Sequence, residues 1–371
     1  MKIEEIDEFK PMSTDIMYSC MEYVIDDAEG NDVMFVGTSC GRIHSFLIYR
    51  RKLPRSLRPE DLSRDVQHNG SVTCLLYSKN TDLSASSIGI VVSGSSDRTI
   101  KIWCPNGAKP LCIQTLYGHE GTVTKVADGH DGTLLSCSVD GCLRLWKPQR
   151  GRKLMLHSFL ECTFVMKQKN AWLSALAVSH INSWACYVGN MDGTIEIYRK
   201  GSELNEAEYR TAVFTGQLTK HKRWENVHAL GISLLHIVFE ESFLITLSYD
   251  HTAKILDLHL GSTLHVINNC HNCKYTGLVW DSPNFQLYLS DEKGHLEVWS
   301  SFYERRIENI VMTSWKPPKR EATSNLSGGH TGLSLAQLQT LSLSGPIQAF
   351  KQPSCLISLL PRTGVVKLFQ V

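Results

Sequence analysis

The chain has 371 residues, of which 42% are hydrophobic, and its 38 Lys and Arg against 37 Asp and Glu give a formal net charge of +1. This balance excludes a chain-wide electrostatic field for nucleic acid or membranes. No apolar run approaches the ~18 residues that a membrane-spanning helix needs, so we expect no membrane span.

The first residues of the chain and its cysteines predict the cellular compartment of the protein. Residues 1–9 are acidic, which argues against a secretory or mitochondrial leader. The 12 cysteines show no framework spacing and are expected to be reduced thiols. We therefore expect a cytoplasmic protein, with the nucleus and the cilium or cytoskeleton left open.

One pattern occurs twice, over residues 91–103 and 134–146. Each copy is an apolar run, a small polar turn that contains Asp, and an alternating apolar run that ends in Trp. This pattern is typical of a two-strand hairpin. The closing Trp103 and Trp146 are 43 residues apart, with a Gly-His pair at 118–119 between them. A fixed period of this size predicts a repeat array.

The same hairpin can be traced seven times by the residue that closes it. In chain order the closing residues are Phe46, Trp103, Trp146, Tyr198, Leu256, Trp299 and Phe369. The pattern resembles that of the WD-repeat family, whose propeller blades are four-stranded antiparallel sheets around a central channel. The resemblance implies an all-β, seven-bladed β-propeller that occupies residues 1–371 as one domain.

The two ends of the chain predict how such a ring would close. The last copy stops at Val371, two residues after its closing Phe369, and therefore lacks an outer strand. Residues 2–9 lie upstream of the first copy. We expect them to form that outer strand, because pairing the first and last strands removes an open sheet edge.

Two stretches interrupt the rhythm of the repeats. Residues 49–67 form a basic loop insertion with two prolines, and residues 313–345 form a long insertion between blades. Within the second, residues 316–330 are expected to be mobile and residues 333–341 to form a short helix. Long loops inside a compact domain are usually functional or disordered, and both alternatives stay open.

Two sets of polar side chains look at first like catalytic triads. They are His68, Ser93, Asp97 and Trp103, followed by His119, Ser136, Asp140 and Trp146. A hydrolase site would occur once, whereas this set recurs. The resemblance implies a structural tetrad that ties the inter-blade loop to the central hairpin. We therefore expect no enzymatic activity.

The other copies depart from this set. Leu256 replaces the Trp in the copy that contains His228, Thr246 and Asp250, and Val188 stands at a hydroxyl position. Three further residues, Cys40, Lys293 and Thr363, stand where Asp is expected. We expect these copies to depend more on packing.

Cys270 and Cys273 form a Cys-x-x-Cys motif with His271 inside it. A metal site would need one or two further ligands, for which His265 or His295 could be proposed. No second paired motif exists in the sequence, so we expect no metal and no cofactor.

Each closing residue is followed by a connection that leads to the outer strand of its blade. Basic residues are unevenly distributed among these connections. The candidate partner-binding residues are Arg50, Arg51, Lys52, Lys147, Arg150, Arg152, Lys153, Arg199 and Lys200. They predict a basic rim, and the alternative is a set of ordinary solvated loops.

These observations predict a non-catalytic scaffold or adaptor for protein–protein interactions in a multi-subunit intracellular complex. One alternative is an electrostatic binder of a phosphorylated ligand, a phosphoinositide or nucleic acid through the basic rim. Another is a structural component of a ciliary or axonemal assembly. The fold itself does not choose among them, because it hosts many functions.

Overall fold

The alternating apolar runs of the sequence form antiparallel β-strands in a computed structural model of the protein. The structure describes residues 4–9, 17–24, 31–49, 60–61, 67–78, 89–104, 111–129, 132–154, 157–168, 171–179, 185–200, 218–238, 242–281, 286–293, 295–306, 309–314, 335–342, 355–360 and 365–370. Two compact units are present, Pro11–Leu235 and a unit that joins Met1–Lys10 to His236–Val371. In the described part of the chain, no helix has the length and apolar character needed to cross a membrane.

The strands follow one another along the chain with short connections in most hairpins. The first seventeen are β1 (Glu4–Phe9), β2 (Tyr18–Val24), β3 (Asn31–Thr38), β4 (Ile43–Tyr49), β5 (Glu60–Asp61), β6 (Val72–Ser78), β7 (Ile90–Ser95), β8 (Ile100–Cys104), β9 (Leu111–Leu116), β10 (Val123–Asp128), β11 (Leu134–Ser138), β12 (Cys142–Leu154), β13 (His157–Lys167), β14 (Leu173–Ser179), β15 (Ala185–Asn190), β16 (Ile195–Lys200) and β17 (Leu218–Trp224). The remaining strands are β18 (Ile232–Val238), β19 (Phe243–Ser248), β20 (Thr252–Asp257), β21 (Thr263–Asn268), β22 (Tyr275–Asp281), β23 (Gln286–Asp291), β24 (His295–Arg306), β25 (Asn309–Ser314), β26 (Leu335–Ser342), β27 (Cys355–Leu360) and β28 (Val365–Gln370).

The strands pair mainly with their neighbours in sequence. Five sheets have four strands each, in the orders β2-β3-β4-β5, β6-β7-β8-β9, β10-β11-β12-β13, β14-β15-β16-β17 and β18-β19-β20-β21. A further sheet has the order β22-β23-β24-β25, with β26 also paired to β24, and a three-stranded sheet has the order β1-β28-β27. In the last sheet Glu4 lies opposite Gln370 and Phe9 opposite Val366, so β1 pairs with β28.

Within the unit Pro11–Leu235, a repeated hydrogen bond joins the first strand of one sheet to the first strand of the next. The second residue of the strand is Ser or Thr, and its hydroxyl donates to a backbone carbonyl of the neighbouring sheet. The pairs are Ser19 with Val72 (2.5 Å), Thr73 with Val123 (2.5 Å), Thr124 with Leu173 (2.7 Å) and Ser174 with Ile232 (2.5 Å). The sheets are thereby held edge to edge along their first strands.

A glycine makes this close approach feasible in the β6–β9 sheet. A Cβ atom on Gly94 would lie 2.7 Å from Cγ1 of Val123 and 2.7 Å from Sγ of Cys74. Real Cβ contacts of this length do not occur, so a side chain here would push the two sheets apart. Apolar side chains fill the remaining space, and Trp146 packs with Ile90 and Val92 in one buried cluster.

The structure corrects the sequence interpretation at both predicted insertions. The basic loop 49–67 contains the short strand β5, whose Asp61 and Glu60 pair with His44 and Ser45. The insertion 313–345 contains the strand β26, so the helix predicted over 333–341 is wrong. Residues 335–342 pair with β24, with Leu341 opposite Leu296, and sheet pairing overrides the helical tendency of the Leu and Gln residues in this segment.

The position of the long insertion also differs from the prediction. Because β26 pairs with residues 295–301 of β24, the segment between β25 and β26 interrupts one sheet and does not join two sheets. The residues 316–330 that the sequence predicts to be mobile lie outside the described residues.

Candidate functional site

Each four-stranded sheet has one end at which two loops meet. In the β10–β13 sheet, Val123 at the start of β10 lies opposite Ser138 at the end of β11. The loop before the first strand therefore meets the turn between the second and third strands. We call this end of a sheet its turn end.

At the turn end of the β6–β9 sheet, the structure brings the four residues of the first predicted tetrad together. His68 Nδ1 lies 3.0 Å from Oδ2 of Asp97, and its Nε2 lies 2.7 Å from Oγ of Ser93. The indole Nε1 of Trp103 donates to the same Ser93 oxygen at 2.8 Å. Asp97 also accepts the backbone N–H of Asn69 at 2.8 Å. The tetrad thus ties the incoming loop to the hairpin.

The second predicted tetrad repeats this geometry in the β10–β13 sheet. His119 Nδ1 lies 3.0 Å from Oδ2 of Asp140, and Nε2 lies 2.8 Å from Oγ of Ser136. Trp146 Nε1 donates to Ser136 at 2.8 Å. The backbone N–H of Glu120 donates to Asp140 at 2.8 Å.

The tetrad has one consistent direction of donation. The serine hydroxyl accepts from Trp and has one hydrogen, which it donates to the neutral Nε2 of His, while Nδ1–H donates to Asp. Ser93 and Ser136 are both fully buried, with 0% exposed surface. A serine nucleophile must be reachable by a substrate, so these sets do not fit a triad.

Burial sets the protonation state of the two histidines. Burial lowers the pKa of His68 and of His119 below the ordinary value of 6.5, against the opposing influence of Asp97 and Asp140. Burial alone would raise the pKa of Asp97, but the hydrogen bonds from Thr99 lower it below 3.8. Neutral imidazole and ionised carboxylate are therefore the folded-state forms.

The β14–β17 sheet replaces the tetrad with a different polar network. Gln168 occupies the place of the histidine, since its backbone N–H donates to the Gly141 carbonyl as that of His68 donates to Gly41. Its amide Nε2 donates to the Tyr198 hydroxyl at 3.0 Å and to the buried carboxylate of Glu196.

Cations from the fourth strand compensate the buried carboxylate of Glu196. Lys220 Nζ donates to it at 2.7 Å, and Arg223 Nη1 lies 3.6 Å away. The signal for this network in the sequence is an acidic residue two positions before the closing aromatic, where Lys101 and Arg144 stand in the preceding sheets. The sequence reasoning missed it.

Two other sheets hold their turns without a complete tetrad. In the β2–β5 sheet, where Cys40 replaces Asp, the Thr38 hydroxyl accepts from the backbone N–H of Arg42 at 2.8 Å. In the β18–β21 sheet, Asp250 Oδ1 accepts from the Thr252 hydroxyl at 2.6 Å. Leu256, which replaces the Trp, is fully buried.

The two cysteines of the Cys-x-x-Cys motif differ in exposure and in the residues that they contact. Cys270 is exposed and lies 3.5 Å from Oε1 of Glu297, whereas Cys273 is buried beside Asn269. His271 and His295 stack with their ring centroids 3.5 Å apart. Thr363, the third residue predicted to replace an Asp, lies outside the described part of the chain.

The structure places part of the predicted basic rim in strands. Arg50, Arg51 and Lys52 lie outside the described residues. Arg150, Arg152 and Lys153 belong to the long strand β12 and not to a crossing loop, because β12 continues into a hairpin with β13. Lys147 lies in the same strand, and Arg199 and Lys200 end β16. The Nε atom of Arg199 is buried.

An exposed apolar group lies instead at the turn ends of the β14–β17 and β18–β21 sheets. Trp172, Met191 and Leu230 expose 61%, 38% and 53% of their surface. Trp172 accepts the backbone N–H of Met191 at 3.0 Å, and Gly231, which follows Leu230, lies against the Met191 side chain. We call these three residues the apolar patch.

Known proteins resemble this chain in sequence. The family model for the WD domain, G-beta repeat, matches residues 62–104 and 110–147. The chain is 24% identical over 239 residues to a p21-activated protein kinase-interacting protein 1-like of Xenopus laevis, which covers 63% of this chain and 54% of that protein. It is also 24% identical over 205 residues to a ribosome biogenesis protein WDR12 homolog of Anopheles gambiae, with 51% and 44% covered. The chain thus spans about half the length of these curated relatives.

A solved structure resembles the chain in fold. The crystal structure of the WD40 β-propeller domain of Doa1 superposes with a TM-score of 0.67 and 15% sequence identity, and it covers 99% of this chain and 96% of that chain. At this identity the match shows the fold alone.

Removing the acid of a tetrad tests its role. Asp140→Ala leaves His119 without its buried partner, and we expect the free energy of unfolding to fall by roughly 1–3 kcal/mol. Asp192→Ala is the matched control, because Asp192 holds the same turn position yet, among the described residues, bonds to Thr194 and an exposed Arg223 and to no histidine. Urea denaturation measures both variants. Equal effects would show that the turn, and not the buried histidine, accounts for the loss.

The lowered histidine pKa values predict a dependence of stability on pH. The unfolded chain binds these protons near pH 6.5, whereas the folded chain binds them only at lower pH. Stability from His68 and His119 is therefore complete above 6.5 and decreases as the pH falls below it. Denaturation at several pH values between 8 and 5 measures this slope. His119→Gln, which uses the residue found at Gln168, should flatten it, and an unchanged slope would contradict the assignment.

Proposed function

We propose, from the premise that this chain is a WD-repeat protein with an all-β propeller fold of four-stranded antiparallel blades, that it is a non-catalytic scaffold or adaptor. In this proposal it holds other proteins in a multi-subunit complex of the cytoplasm. WD-repeat propellers typically have no catalytic role, and the two Ser-His-Asp sets of this chain are buried.

The apolar patch carries the proposal. Exposed Trp and Met side chains that lie together are enriched in protein–protein interfaces, and Trp is the most frequent hot-spot residue. Trp172 exposes 61% of its surface although it is bonded to its neighbours through its backbone. The indole ring of Trp172 is therefore accessible to a partner protein.

The network beneath the patch supports this interpretation. Gln168, four residues before Trp172, is fixed by Tyr198 and Glu196, and Gly141 accepts its backbone N–H at 2.8 Å. A side chain that is held in place before binding loses less conformational entropy when the partner binds. Rigid loops on a sheet scaffold are a common way to present binding residues.

The names of the relatives support a role in assemblies. One relative is named for its interaction with a protein kinase and another for ribosome biogenesis. Electrostatic binding through basic residues such as Lys147, Arg199 and Lys200 is the second candidate, but the exposed Trp172 favours a protein partner.

The number of blades and the closure of the ring are part of the same proposal. Seven copies of the hairpin occur in the sequence, and β1 pairs with β28 in the sheet β1-β28-β27. We infer a seven-bladed ring in which the first strand completes the last blade. Closure of this kind removes open sheet edges.

Removing the first strand tests closure. Deletion of residues 1–10 should expose the edge of β28 and lead to aggregation or a lower melting temperature. Deletion of residues 1–3, which precede β1, is the control and should have no effect. Size-exclusion chromatography and thermal denaturation measure both. A monomeric and equally stable 1–10 deletion would contradict closure by β1.

Substitution in the apolar patch tests the scaffold function. Tagged wild-type protein, Trp172→Ala and Leu230→Ala are compared for the partners recovered from separate cytosolic and nuclear fractions. We expect Trp172→Ala to weaken partner binding by about 2 kcal/mol, or roughly 30-fold in Kd, with an unchanged melting temperature.

Leu111→Ala is the matched control, since Leu111 on the edge strand β9 is 51% exposed and Leu230 is 53% exposed. Equal recovery with all variants would contradict the proposed patch, and partners found only in the nuclear fraction would contradict the cytoplasmic location.

A further inference from the structure

Five metal-ligating side chains converge at the turn end of the β22–β25 sheet. The residues Cys270 and His271 come from the loop before β22, Asp291 ends β23, and His295 and Glu297 lie at the start of β24. Cys270, His271 and Glu297 each offer a ligand atom within 4.8 Å of the others, and so do His271, Asp291 and His295. His271 belongs to both groups.

The spacing between Cys270 and Glu297 fits one metal ion. The Cys270 Sγ atom lies 3.5 Å from Oε1 of Glu297. Two donor atoms that each lie 2.0–2.3 Å from a tetrahedral zinc ion are about 3.5 Å apart. The observed separation, which is also that of an S–H···O hydrogen bond from Cys270, therefore fits two ligands of the same ion.

The second oxygen of Glu297 is held in place by neutral donors. The Tyr275 hydroxyl donates to Oε2 at 2.8 Å, and Trp299 Nε1 donates to the same atom at 3.1 Å. These bonds fix the carboxylate and leave Oε1 directed at Cys270. Hydrogen bonds of this kind to a ligand carboxylate are usual around metal ions.

His295 is held by a carboxylate and supports the ring of His271. Its Nδ1 lies 2.9 Å from Oδ2 of the buried Asp291, so Nδ1–H donates to that oxygen. The ring of His271 stacks on that of His295 with an angle of 14° between the planes. An imidazole nitrogen binds a metal in the plane of its ring, so one ion cannot bind both stacked rings, and His271 is the ligand. The buried Nε2 of His271 has no hydrogen-bond partner among the described residues.

The charge of Glu297 points to a cation. Its side chain is 2% exposed, and among the residues that the structure describes it has no ion pair. The equivalent Glu196, also 2% exposed, has Lys220 at 2.7 Å and Arg223 at 3.6 Å. An ionised carboxylate is rarely buried without a compensating charge.

We propose that Cys270, His271 and Glu297 bind a zinc ion whose fourth position is left to water, and that His295, held by Asp291, supports the ring of His271. A thiolate, an imidazole and a carboxylate are ligand types that zinc prefers. Cys270 is exposed, so the ion can enter from solvent. A bound cation neutralises Glu297 and takes up the unpaired nitrogen of His271.

The zinc ion would have the mechanical role of the missing tetrad. In the β6–β9 sheet a histidine before the first strand is tied to an Asp in the hairpin turn. In the β22–β25 sheet Lys293 stands at that Asp position and donates to the His271 carbonyl at 2.7 Å. The zinc ion likewise joins the incoming loop to the hairpin, here through Glu297 on its second strand, β24. This inference is independent of the proposed scaffold function.

The experiment uses the full chain, stripped with a chelator and titrated with zinc chloride and with cobalt chloride. We expect one zinc ion per chain by mass spectrometry of the metal content and a rise in melting temperature with zinc. Cobalt should give a thiolate-to-cobalt charge-transfer band and the strong visible bands of a tetrahedral site.

Variants separate ligands from bystanders. Cys270→Ser should abolish the charge-transfer band, whereas Cys162→Ser, which removes another exposed cysteine, should retain it. Glu297→Gln and His271→Asn should each reduce the bound zinc below one per chain.

Three results would overturn the proposal. They are a stripped protein that takes up no zinc, a zinc content that Cys270→Ser and Glu297→Gln both leave unchanged, and a cobalt complex without a thiolate band. Circular dichroism of each metal-free variant checks its fold. If Cys270→Ser or Glu297→Gln does not fold, the thiolate band of the wild-type cobalt complex still decides.

Discussion

The contact on which the unit Pro11–Leu235 depends is the approach of each first strand to the first strand of the next sheet. Ser or Thr hydroxyls donate across this contact at 2.5–2.7 Å. Sheets can come this close only where the neighbouring strand lacks a side chain, as at Gly94, or carries a small one. The hydroxyl also gives a backbone carbonyl of the next sheet a hydrogen-bond partner, and an unpaired buried carbonyl would destabilise the fold.

This contact leaves the turn ends of the sheets to be held by other means. Two sheets use a tetrad in which proton donation runs from Trp through Ser and His to Asp. The β14–β17 sheet uses Gln168, Tyr198 and Glu196, and the β18–β21 sheet places a buried Leu256 where the others have an aromatic residue. The fold therefore requires that the incoming loop be tied to the hairpin, and it accepts several chemistries for that tie.

The sequence predicts the parts of this fold that are governed by local pattern. Alternating apolar runs and Asp-containing turns identify the hairpins, and the recurrence of His, Ser, Asp and Trp identifies both tetrads. The sequence does not reveal contacts made by residues of unlike type at unlike spacing. Glu297 and Cys270 are 27 residues apart and match no motif, yet strand register places them 3.5 Å from each other. The helix predicted over 333–341 fails for the same reason, because pairing with β24 is a non-local interaction.

Strand register also explains why two buried glutamates need different cations. Glu196 lies opposite Arg223 in the β16–β17 ladder, and Lys220 stands on the same strand, so the fourth strand provides the compensating charge. Glu297 lies opposite Thr340 in the β24–β26 ladder. The strand β26, Leu335–Ser342, has no Lys or Arg in its sequence. A strand without Lys or Arg cannot neutralise a buried carboxylate. The positive charge that β17 provides for Glu196 therefore has to come from another part of the sheet in the case of Glu297. The loop before β22, which contains Cys270 and His271, offers ligands for a metal cation, whereas the β14–β17 sheet uses the cations of Lys220 and Arg223.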